Sequence, residues 1–399
     1  MTKYTPLPFE INLSPDGFVF DVGSLFEALC GLHDQRDARG VRYALATVLS
    51  YVVLAKLAGE DQPHGIARWV KGRARDLADY FGLAKAQAPH ETTYTRILGC
   101  ALQVDEFERI VTDFFAHLPQ AGQSVHIALD GKTLRGTIPF GSTRGVHLLA
   151  AYLPQEGWVL CQVEVDRKEN EIPAAARLLK TLDLRGKIIT GDALLAQRAL
   201  SLQIVQAGGD YLWVIKDNQP ETRAAIARLF APETAVKGFS PAAQDDFTAT
   251  ETLGKTHGRI ETRTLTASPA SSTWLNWPEV AQVFKIERRF VRVQDGQVTQ
   301  EVVYGVTSLT GAEASAARLL ALQRAHWAIE NGLHYRRDVT FKEDRGRFRI
   351  GHAAQAMAAI NNLVLGLLLR RGVTNVPDAR RDYDADPKAA LALILGRPG

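Results

Sequence analysis

Two short apolar segments of this chain each end in an aspartate, and this feature constrains the fold more than any other. Asp130 closes the strand-type run Val125–Asp130, and Asp192 follows the run Lys187–Thr190 and one glycine. Short apolar runs bounded by turn residues are typical of buried strands. A strand fixes such an aspartate while its carboxylate projects beyond the sheet, where two of them can share a hard cation such as Mg²⁺. The pattern therefore predicts a sheet with two acidic groups at one edge.

The segments around these runs predict a mixed α/β sheet. His147–Tyr152 and Trp158–Val165 flank a turn and are typical of a hairpin. A further strand is predicted at Tyr211–Ile215, and helices at Glu171–Leu182, Ala196–Ala207 and Pro220–Phe230. The resulting order, β-ββ-α-β-α-β-α, favours one sheet covered by helices on both faces.

The flanking segments have different patterns. From Gly23 to about Leu118 the spacing predicts four or five helices, including Val41–Leu57 and Gly65–Tyr80. Residues 235–310 alternate in the manner of strands, and Asp295-Gly296 is a strong hairpin turn signal. A helical pattern then runs from near Gly311 through Glu330 to about Tyr335. We therefore expect a helical N-terminal module and a β-rich insertion before Glu330.

Composition excludes several classes of protein. The chain is 46% hydrophobic and 23% charged, as globular proteins are. Cys30, Cys100 and Cys161 are odd in number and widely spaced, which indicates a reducing cytosol and not a disulfide framework or zinc knuckle. The N-terminus lacks the apolar core of a signal peptide, and the apolar stretch Leu363–Leu369 is too short to span a bilayer. With a net charge of +3, any nucleic-acid surface is expected to be a local patch.

A third acidic residue, Glu330, lies among polar residues. An α-helical period would place His326, His334 and Arg337 within about 40° of Glu330, which favours a site over a solvated stripe. Taken singly, each acid has an ordinary explanation: an aspartate after a strand caps a turn, and a helical glutamate faces solvent. A rival interpretation makes His326, Glu330 and His334 zinc ligands, but it leaves Asp130 and Asp192 unexplained.

Five motifs, in order, resemble those of the DDE transposases of bacterial insertion sequences, in the H-repeat-associated branch. They are Leu129–Gly136, Lys168–Ile172 with Leu182–Gly186, Thr190–Leu194, His257–Arg263 and Arg324–His334, the last extended by Asp338–Asp344. The chain departs from the family pattern at Leu195, where the family usually has His, at Asp217, where it has Gly, and at Tyr335, where it has Trp. None of these departures removes one of the three acids.

This resemblance implies an RNase H-like catalytic core with Asp130, Asp192 and Glu330 as its catalytic and metal-binding triad. The expected domains are residues 1–120, a helical module that binds DNA; 121–235, the first part of the core; 236–310, the β-rich insertion; 311–375, the second part of the core; and 376–399, a C-terminal tail. In fold class the chain is then α/β, with an RNase H-like mixed sheet and flanking helices.

The resemblance also implies an activity. Two Mg²⁺ ions, with Mn²⁺ as a substitute, would support cleavage and transfer of DNA strands. The expected partners are the element's terminal repeats and target DNA, bound by a homodimer in the cytoplasm at the nucleoid, with no membrane. Two alternatives stay open: a DNA-binding descendant without strand transfer, and a general RNase H-like nuclease.

Candidate DNA contacts are mostly cations beside these motifs, because Lys and Arg contact phosphates and fix position on DNA. The predicted set is Lys132, Arg135, Lys216, Asn218, His257, Arg259, Arg324, His326, His334 and Arg337, with Arg263, Arg345, Arg347 and Arg349 as further cations. Trp274 and Trp277 are predicted to be partly buried, in preference to stacking a flipped base.

Overall fold

The computed structural model describes residues 11–13, 19–21, 23–116, 125–231, 247–256, 258–270, 272–327, 329–348 and 350–396. The chain forms two compact units. The first contains residues 1–123, 131–164 and 330–399, and the second contains residues 124–130 and 165–329. Strand β3, His126–Leu134, has its first five residues in the second unit and its last four in the first. The domain boundaries expected from the sequence stay predictions.

The first unit begins with the predicted helices. A short antiparallel pair, β1 (Ile11–Leu13) and β2 (Val19–Asp21), precedes α1 (Leu25–Cys30), α2 (Leu45–Leu57), α3 (Pro63–Gly72), α4 (Ala74–Tyr80), α5 (Glu91–Arg96) and α6 (Val104–Ala116). A π-helical turn, Ile97–Ala101, follows α5. The single helix expected over Gly65–Tyr80 is two helices that meet at Arg73. All thirteen residues of α2 are buried, so α2 is the centre of this module.

The remainder of the first unit packs around a long buried helix. β4 (Val146–Leu153) and β5 (Trp158–Glu164) form the predicted antiparallel hairpin, whose turn contains Gly157 at φ +79°. The C-terminal helices are α12 (Ala353–Arg370), α13 (Val376–Ala385) and α14 (Pro387–Leu395). α12 is long and apolar enough to cross a bilayer, but 89% of it is buried against the protein, including β5, α6 and α2. We therefore assign α12 to the core.

The second unit contains a mixed sheet. Its strands lie in the order β3-β6-β7-β11-β10-β9-β8. The new strands are β6 (Ile188–Gly191), β7 (Asp210–Ile215), β8 (Thr248–Thr256), β9 (Arg259–Pro269), β10 (Gln282–Arg292) and β11 (Val298–Thr307). β3, β6 and β7 are parallel, and the four later strands are antiparallel. The helices are α7 (Glu171–Lys180), α8 (Arg198–Gln206), α9 (Pro220–Leu229), α10 (Ser272–Leu275) and α11 (Ala316–His326).

The order of elements confirms the fold class. β3, the hairpin, α7, β6, α8, β7 and α9 follow one another as the sequence pattern predicts, in a mixed α/β arrangement. The β-rich segment extends the same sheet, because Tyr304 of β11 pairs with Ile215 of β7. Its core includes Leu265, Phe284 and Leu319, with α11 packed on β8 and β9. Sequence periodicity could not show this attachment, because it depends on pairing between strands far apart in the chain.

One predicted helix ends earlier than expected. α11 stops at His326, where Trp327 caps it, and the segments Glu330–His334 and Arg336–Thr340 are π-helical. A π-helix closes its hydrogen bonds over five residues and not four. The α-helical face calculated around Glu330 is therefore wrong.

Candidate active site

The sheet of the second unit sets Asp130 and Asp192 on neighbouring strands. β3 and β6 are parallel, and Leu129 pairs with Gly191. Each aspartate is the next residue after one member of that pair. Adjacent strands lie about 4.8 Å apart, so the two residues lie side by side. Asp192 directly follows β6, whereas β3 continues past Asp130 to Leu134, so the expectation that Asp130 ends its strand is wrong. Asp130 is half-buried and Asp192 is exposed.

The turn after β6 fixes the backbone at Asp192. The Asp192 Oδ1 accepts hydrogen bonds from the Leu194 and Leu195 amides at 3.0 and 3.2 Å, and so caps a short 3₁₀ turn. A Cβ on Gly191 would lie 2.8 Å from the Trp213 ring and 3.0 Å from Leu195, so only glycine fits there. Asn218 Nδ2 donates to the Ala193 carbonyl at 2.6 Å. The loop after β7 therefore supports the turn.

Negative charge accumulates around Asp192. Although Asp192 is exposed as a residue, partial burial of its carboxyl group raises its pKa. The carboxylates of Glu171 and Asp130 raise the pKa further, while the backbone donors of the turn oppose them. Glu171 is the first residue of α7, which packs on the turn. The sequence prediction omitted Glu171, although it lies in one of the five motifs. Carboxylates that disfavour one another's charge form a donor set that suits a divalent cation.

A buried hydrogen-bond chain lies behind Asp130. Thr190 Oγ1 lies 2.8 Å from His126 Nε2 and 3.0 Å from His326 Nδ1. Burial lowers the pKa of His126 to about 3 and also lowers that of His326, which the Asp130 charge partly opposes. Both imidazoles are therefore neutral at pH 7. Since the hydroxyl has one proton, at least one of the two imidazole nitrogens donates to Thr190 Oγ1. His326 is 6% exposed and belongs to this interior chain.

Glu330 belongs to the first unit and is exposed. It begins the π-helical segment Glu330–His334, in which Leu333 and His334 are buried. A Cβ on Gly332 would lie 2.7 Å from the Tyr152 hydroxyl, so glycine permits this segment to approach β4. The π-helical backbone thus sets the direction in which Glu330 projects.

The next turn of the chain is held by buried ion pairs. Arg337 is fully buried, and its Nε lies 3.0 and 2.9 Å from the two Glu343 carboxylate oxygens. Asn361 of α12 donates to the same carboxylate at 2.8 Å. Lys132 Nζ lies 2.5 Å from Asp338 Oδ1, with only 10% of the lysine side chain exposed. These contacts join β3, the Arg336–Thr340 segment and α12 within the first unit.

The predicted DNA contacts divide by exposure. Lys216, Asn218, Arg259 and Arg324 are exposed, and 80% of the Arg135 side chain is exposed. Lys132, His326, His334 and Arg337 are largely or fully buried. His257 and Arg349 lie outside the described residues. The roles of all these residues stay predictions.

The tryptophans are placed as follows. Trp277 is 1% exposed, as predicted, and donates to Ser201 Oγ at 3.1 Å. Trp274 is 47% exposed. Trp327 stacks under Arg288, whose guanidinium carbon lies 4.2 Å from the ring centroid. Trp277 and Trp327 thus contact other residues of the second unit.

The donor chemistry for a metal ion comes from carboxylates. Among the residues that the structure describes, no three His, Cys, Asp or Glu side chains are grouped closely enough to hold a metal ion by themselves. Asp130 and Asp192 would supply oxygen ligands from adjacent strands. Burial is the main cause of the raised pKa of Asp192, and nearby negative charge, which a cation would neutralise, adds to it. Oxygen ligands of this kind fit Mg²⁺ or Mn²⁺ and do not favour zinc.

Comparisons with known proteins identify relatives along most of the chain. The chain is 30% identical to "Putative transposase YncI" of Escherichia coli O157:H7 over 87% of each chain. It is 26% identical to "H repeat-associated putative transposase YhhI" of E. coli K12, over 87% of this chain and 91% of that one. A piggyBac transposase synaptic complex with hairpin DNA aligns at a TM-score of 0.42 and 12% identity, over 90% of this chain and 76% of that one.

Family models cover the same span. Residues 26–115 match the model described as DDE_Tnp_1-associated, which coincides with α1 to α6. Residues 121–367 match the model described as the transposase DDE domain, which includes Asp130, Asp192 and Glu330. Because this second match covers more than half of the chain, the protein belongs to the DDE transposase family.

Proposed function

We propose that this protein is a DNA transposase that cleaves and transfers DNA strands with Asp130, Asp192 and Glu330. One observation carries the proposal: the parallel pair Leu129–Gly191 puts Asp130, within β3, and Asp192, directly after β6, side by side. The raised pKa of Asp192 supports it, since Asp130 and Glu171 contribute to that shift. Glu330 joins the proposal because of its order and surroundings in the sequence, and because its exposed carboxylate is accessible.

Divalent metal ions, with Mg²⁺ proposed and Mn²⁺ as its substitute, would activate the attacking oxygen and stabilise the leaving oxygen of a phosphodiester. Asp130 and Asp192 would hold them. The capped turn keeps Asp192 in one backbone conformation, and the buried His126–Thr190–His326 chain keeps neutral groups behind Asp130. The protein's own residues thus orient the carboxylates. No protein group is required as a general base.

The proposed DNA contacts are the exposed members of the predicted set. Arg135, Lys216, Arg259 and Arg324 would contact phosphates, and Asn218 would support the Asp192 turn through the Ala193 carbonyl. For Lys132, His326, His334 and Arg337 we propose supporting roles, because burial keeps these side chains from DNA. We further propose that a homodimer binds the element's terminal repeats and target DNA at the nucleoid.

The test is metal-dependent cleavage of a labelled DNA that carries the element's end. Wild-type protein should cut at the element boundary in Mg²⁺ or Mn²⁺ and not in EDTA. Asp192→Asn and Glu330→Gln should each lower the cleavage rate by 10³-fold or more, on the order of 4 kcal/mol of transition-state stabilisation. Asp183→Asn, an exposed aspartate of the same unit paired with Arg185, is the matched control and should keep full activity.

The outcomes separate the three hypotheses. Cleavage that survives in Asp192→Asn would overturn the assignment of the carboxylates. Tight binding of the end with no cleavage in either metal would favour a DNA-binding descendant. Cleavage that does not depend on the end sequence would favour a general nuclease.

A further inference from the structure

An open groove of about 940 Å³ lies in the helical module of the first unit. Three segments line it: the chain before α2, the exposed face of α3, and the chain leading into α5. This groove is built only from residues 36–93, and contains none of the three proposed catalytic acids.

Small residues and cations together line the groove. Four alanines contribute no bulk beyond a methyl group: Ala67, Ala74, Ala86 and Ala88. Four cations line the same groove, Arg36, Arg42, Arg68 and Lys71, against one acid, Glu91. A concave surface with one dominant sign of charge concentrates ligands of the opposite sign. The groove therefore suits a polyanion that can enter closely.

Most of these cations can reach a ligand. Arg42, Arg68 and Lys71 are exposed. Arg68 lies 3.4 Å from Glu60 with 78% of its side chain exposed, and an exposed ion pair of this kind is weak. Arg68 and Lys71 are three residues apart on α3, so their side chains lie on one face of the helix.

Arg36 differs, because it is held in place. Two hydrogen bonds from its Nε and one from its Nη2 go to Asp34, and Nη2 also donates to the Tyr43 carbonyl at 2.8 Å. Arg36 is therefore part of the wall of the groove. The exposed side chains of Arg42, Arg68 and Lys71 remain available for ligand contacts.

We propose that this groove binds the sugar-phosphate backbone of DNA, through Arg42, Arg68 and Lys71. The choice of DNA as the polyanion rests on the proposed function. Because phosphate contacts carry no sequence information, the groove would hold and orient DNA and would leave recognition of the terminal sequence to other residues. Its contribution would be electrostatic and would weaken steeply with salt.

The experiment measures binding of a fluorescein-labelled 30-base-pair duplex of arbitrary sequence to the full chain in EDTA, by anisotropy, over a series of NaCl concentrations. Arg68→Ala/Lys71→Ala should make the slope of log K against log [salt] shallower by about 1.8, since each phosphate contact contributes about 0.9. At low salt its affinity should fall by roughly tenfold or more. Arg68→Lys/Lys71→Arg should retain the wild-type slope.

The matched control is Arg96→Ala/Arg109→Ala. It removes two exposed cations from α5 and α6 of the same module, neither of which lines the groove. Thermal unfolding checks that every variant is folded. A groove variant that binds as the control does would overturn the proposal.

The two proposals can fail separately. Binding is measured in EDTA and so does not depend on cleavage. If the salt slope depends on Arg68 and Lys71 but the wild type never cleaves DNA, the groove proposal stands and the catalytic assignment is refuted. Cleavage that is abolished by Asp192→Asn, together with binding that is indifferent to Arg68 and Lys71, would do the reverse.

Discussion

At the scale of single residues, Asp192 shows how one side chain serves two purposes. Its Oδ1 caps the turn after β6, which fixes the backbone. Burial and the neighbouring Glu171 and Asp130 raise its pKa, and the proposed metal ion would offset the charge that they disfavour. The order Asp130 then Asp192 was readable from the apolar runs that precede them. The contribution of Glu171 was not, because it depends on how α7 packs against the turn.

A second carboxyl, Glu108 of α6, is disfavoured as an anion for a simpler reason. Its Oε1 is buried without a hydrogen-bond partner among the described residues, and its Oε2 accepts only a long bond, 3.4 Å, from the Gln162 amide. Burial raises the pKa of Glu108 to about 8, and Asp105 raises it while Gln162 and Arg337 lower it. The folded protein therefore keeps Glu108 protonated where the unfolded chain would ionise it.

This raised pKa predicts a pH-dependent stability. The unfolding free energy that depends on protonated Glu108 is fully present below pH 4.5, the ordinary pKa of the group. It is lost as the pH rises through about 8. Glu108→Gln removes the ionisation. We expect the variant to match the wild type in urea unfolding at pH 4.5, and to exceed its unfolding free energy by up to roughly 4 kcal/mol at pH 8.

The control for this measurement is Glu106→Gln, a neighbour on the same helix whose carboxylate accepts from the His33 amide at the surface. Its pH dependence should follow the wild type. Equal pH profiles for the Glu108 variant and the wild type would show that Glu108 is ionised in the folded protein at pH 8.

At the scale of elements, the segment from Glu330 to Thr340 is the least regular part of the fold near a proposed catalytic residue. It is π-helical, and it is anchored through Gly332 at Tyr152 and through Arg337 at Glu343. π-helical geometry is rare and often occurs at functional sites. The hydrophobic pattern predicted a helix here, and could not predict its type, because α- and π-helices bury similar sets of residues over one or two turns.

The buried Arg337–Glu343 pair predicts a specific double-mutant result. Arg337→Ala leaves the Glu343 carboxylate buried with the Asn361 hydrogen bond but without its ion-pair partner, and should lower the unfolding free energy by about 3–5 kcal/mol. Arg337→Met/Glu343→Leu removes both charges and keeps the volume, so it should recover most of that loss. Urea unfolding of the wild type, Arg337→Met, Glu343→Leu and the double variant measures the coupling.

If Arg337→Ala lowers the unfolding free energy by less than 1 kcal/mol, the Glu343 carboxylate becomes protonated or hydrated in the variant and does not depend on Arg337. The exposed pair Arg177–Glu169, with about half of the arginine side chain in solvent, gives the comparison. Removing it should change stability by about 1 kcal/mol or less.

Other elements were readable because their signals are local. The Asp295-Gly296 turn joins β10 to β11 as predicted, with Gly296 at φ +70°. By contrast, the attachment of β11 to β7 and the register Leu129–Gly191 involve residues far apart in sequence. Sequence periodicity places side chains on faces, but it does not choose partners for a strand.

At the scale of the whole molecule, helix α13 packs against the N-terminal helices of the first unit. Arg380 of α13 donates to Asp61 Oδ1 at 2.7 Å and to the Lys56 carbonyl at 2.8 Å. Lys56, fully buried in α2, lies 3.1 Å from the same carboxylate. Trp69 Nε1 donates to Asp384 at 2.9 Å. Segments more than 300 residues apart therefore complete one core, which the sequence alone, read as separate domains, did not indicate.

Truncation after Thr374 tests this closure. It removes α13 and α14, including the buried Val376, Leu391 and Ile394, and deprives Asp61 of Arg380. We expect hydrogen exchange of the α2 amides to speed up by at least tenfold, while the β10 and β11 amides of the second unit retain their protection. Truncation after Gly396 is the control and should leave both regions unchanged. Unaltered protection of α2 in the shorter protein would show that the core does not need the C-terminal helices.

The position of β8 in the sheet of the second unit has a consequence for how such a protein can be varied. β8 ends the strand order, and it is separated from β3 and β6 by β9, β10, β11 and β7. Most of its side chains face solvent, including Leu253, which is 74% exposed. The next two residues of the strand, Gly254 and Lys255, discourage pairing of this edge with another chain. Additions grafted at this end would leave the aspartate-bearing strands untouched. For protein engineering, β8 is the natural attachment point for a reporter or an extra module.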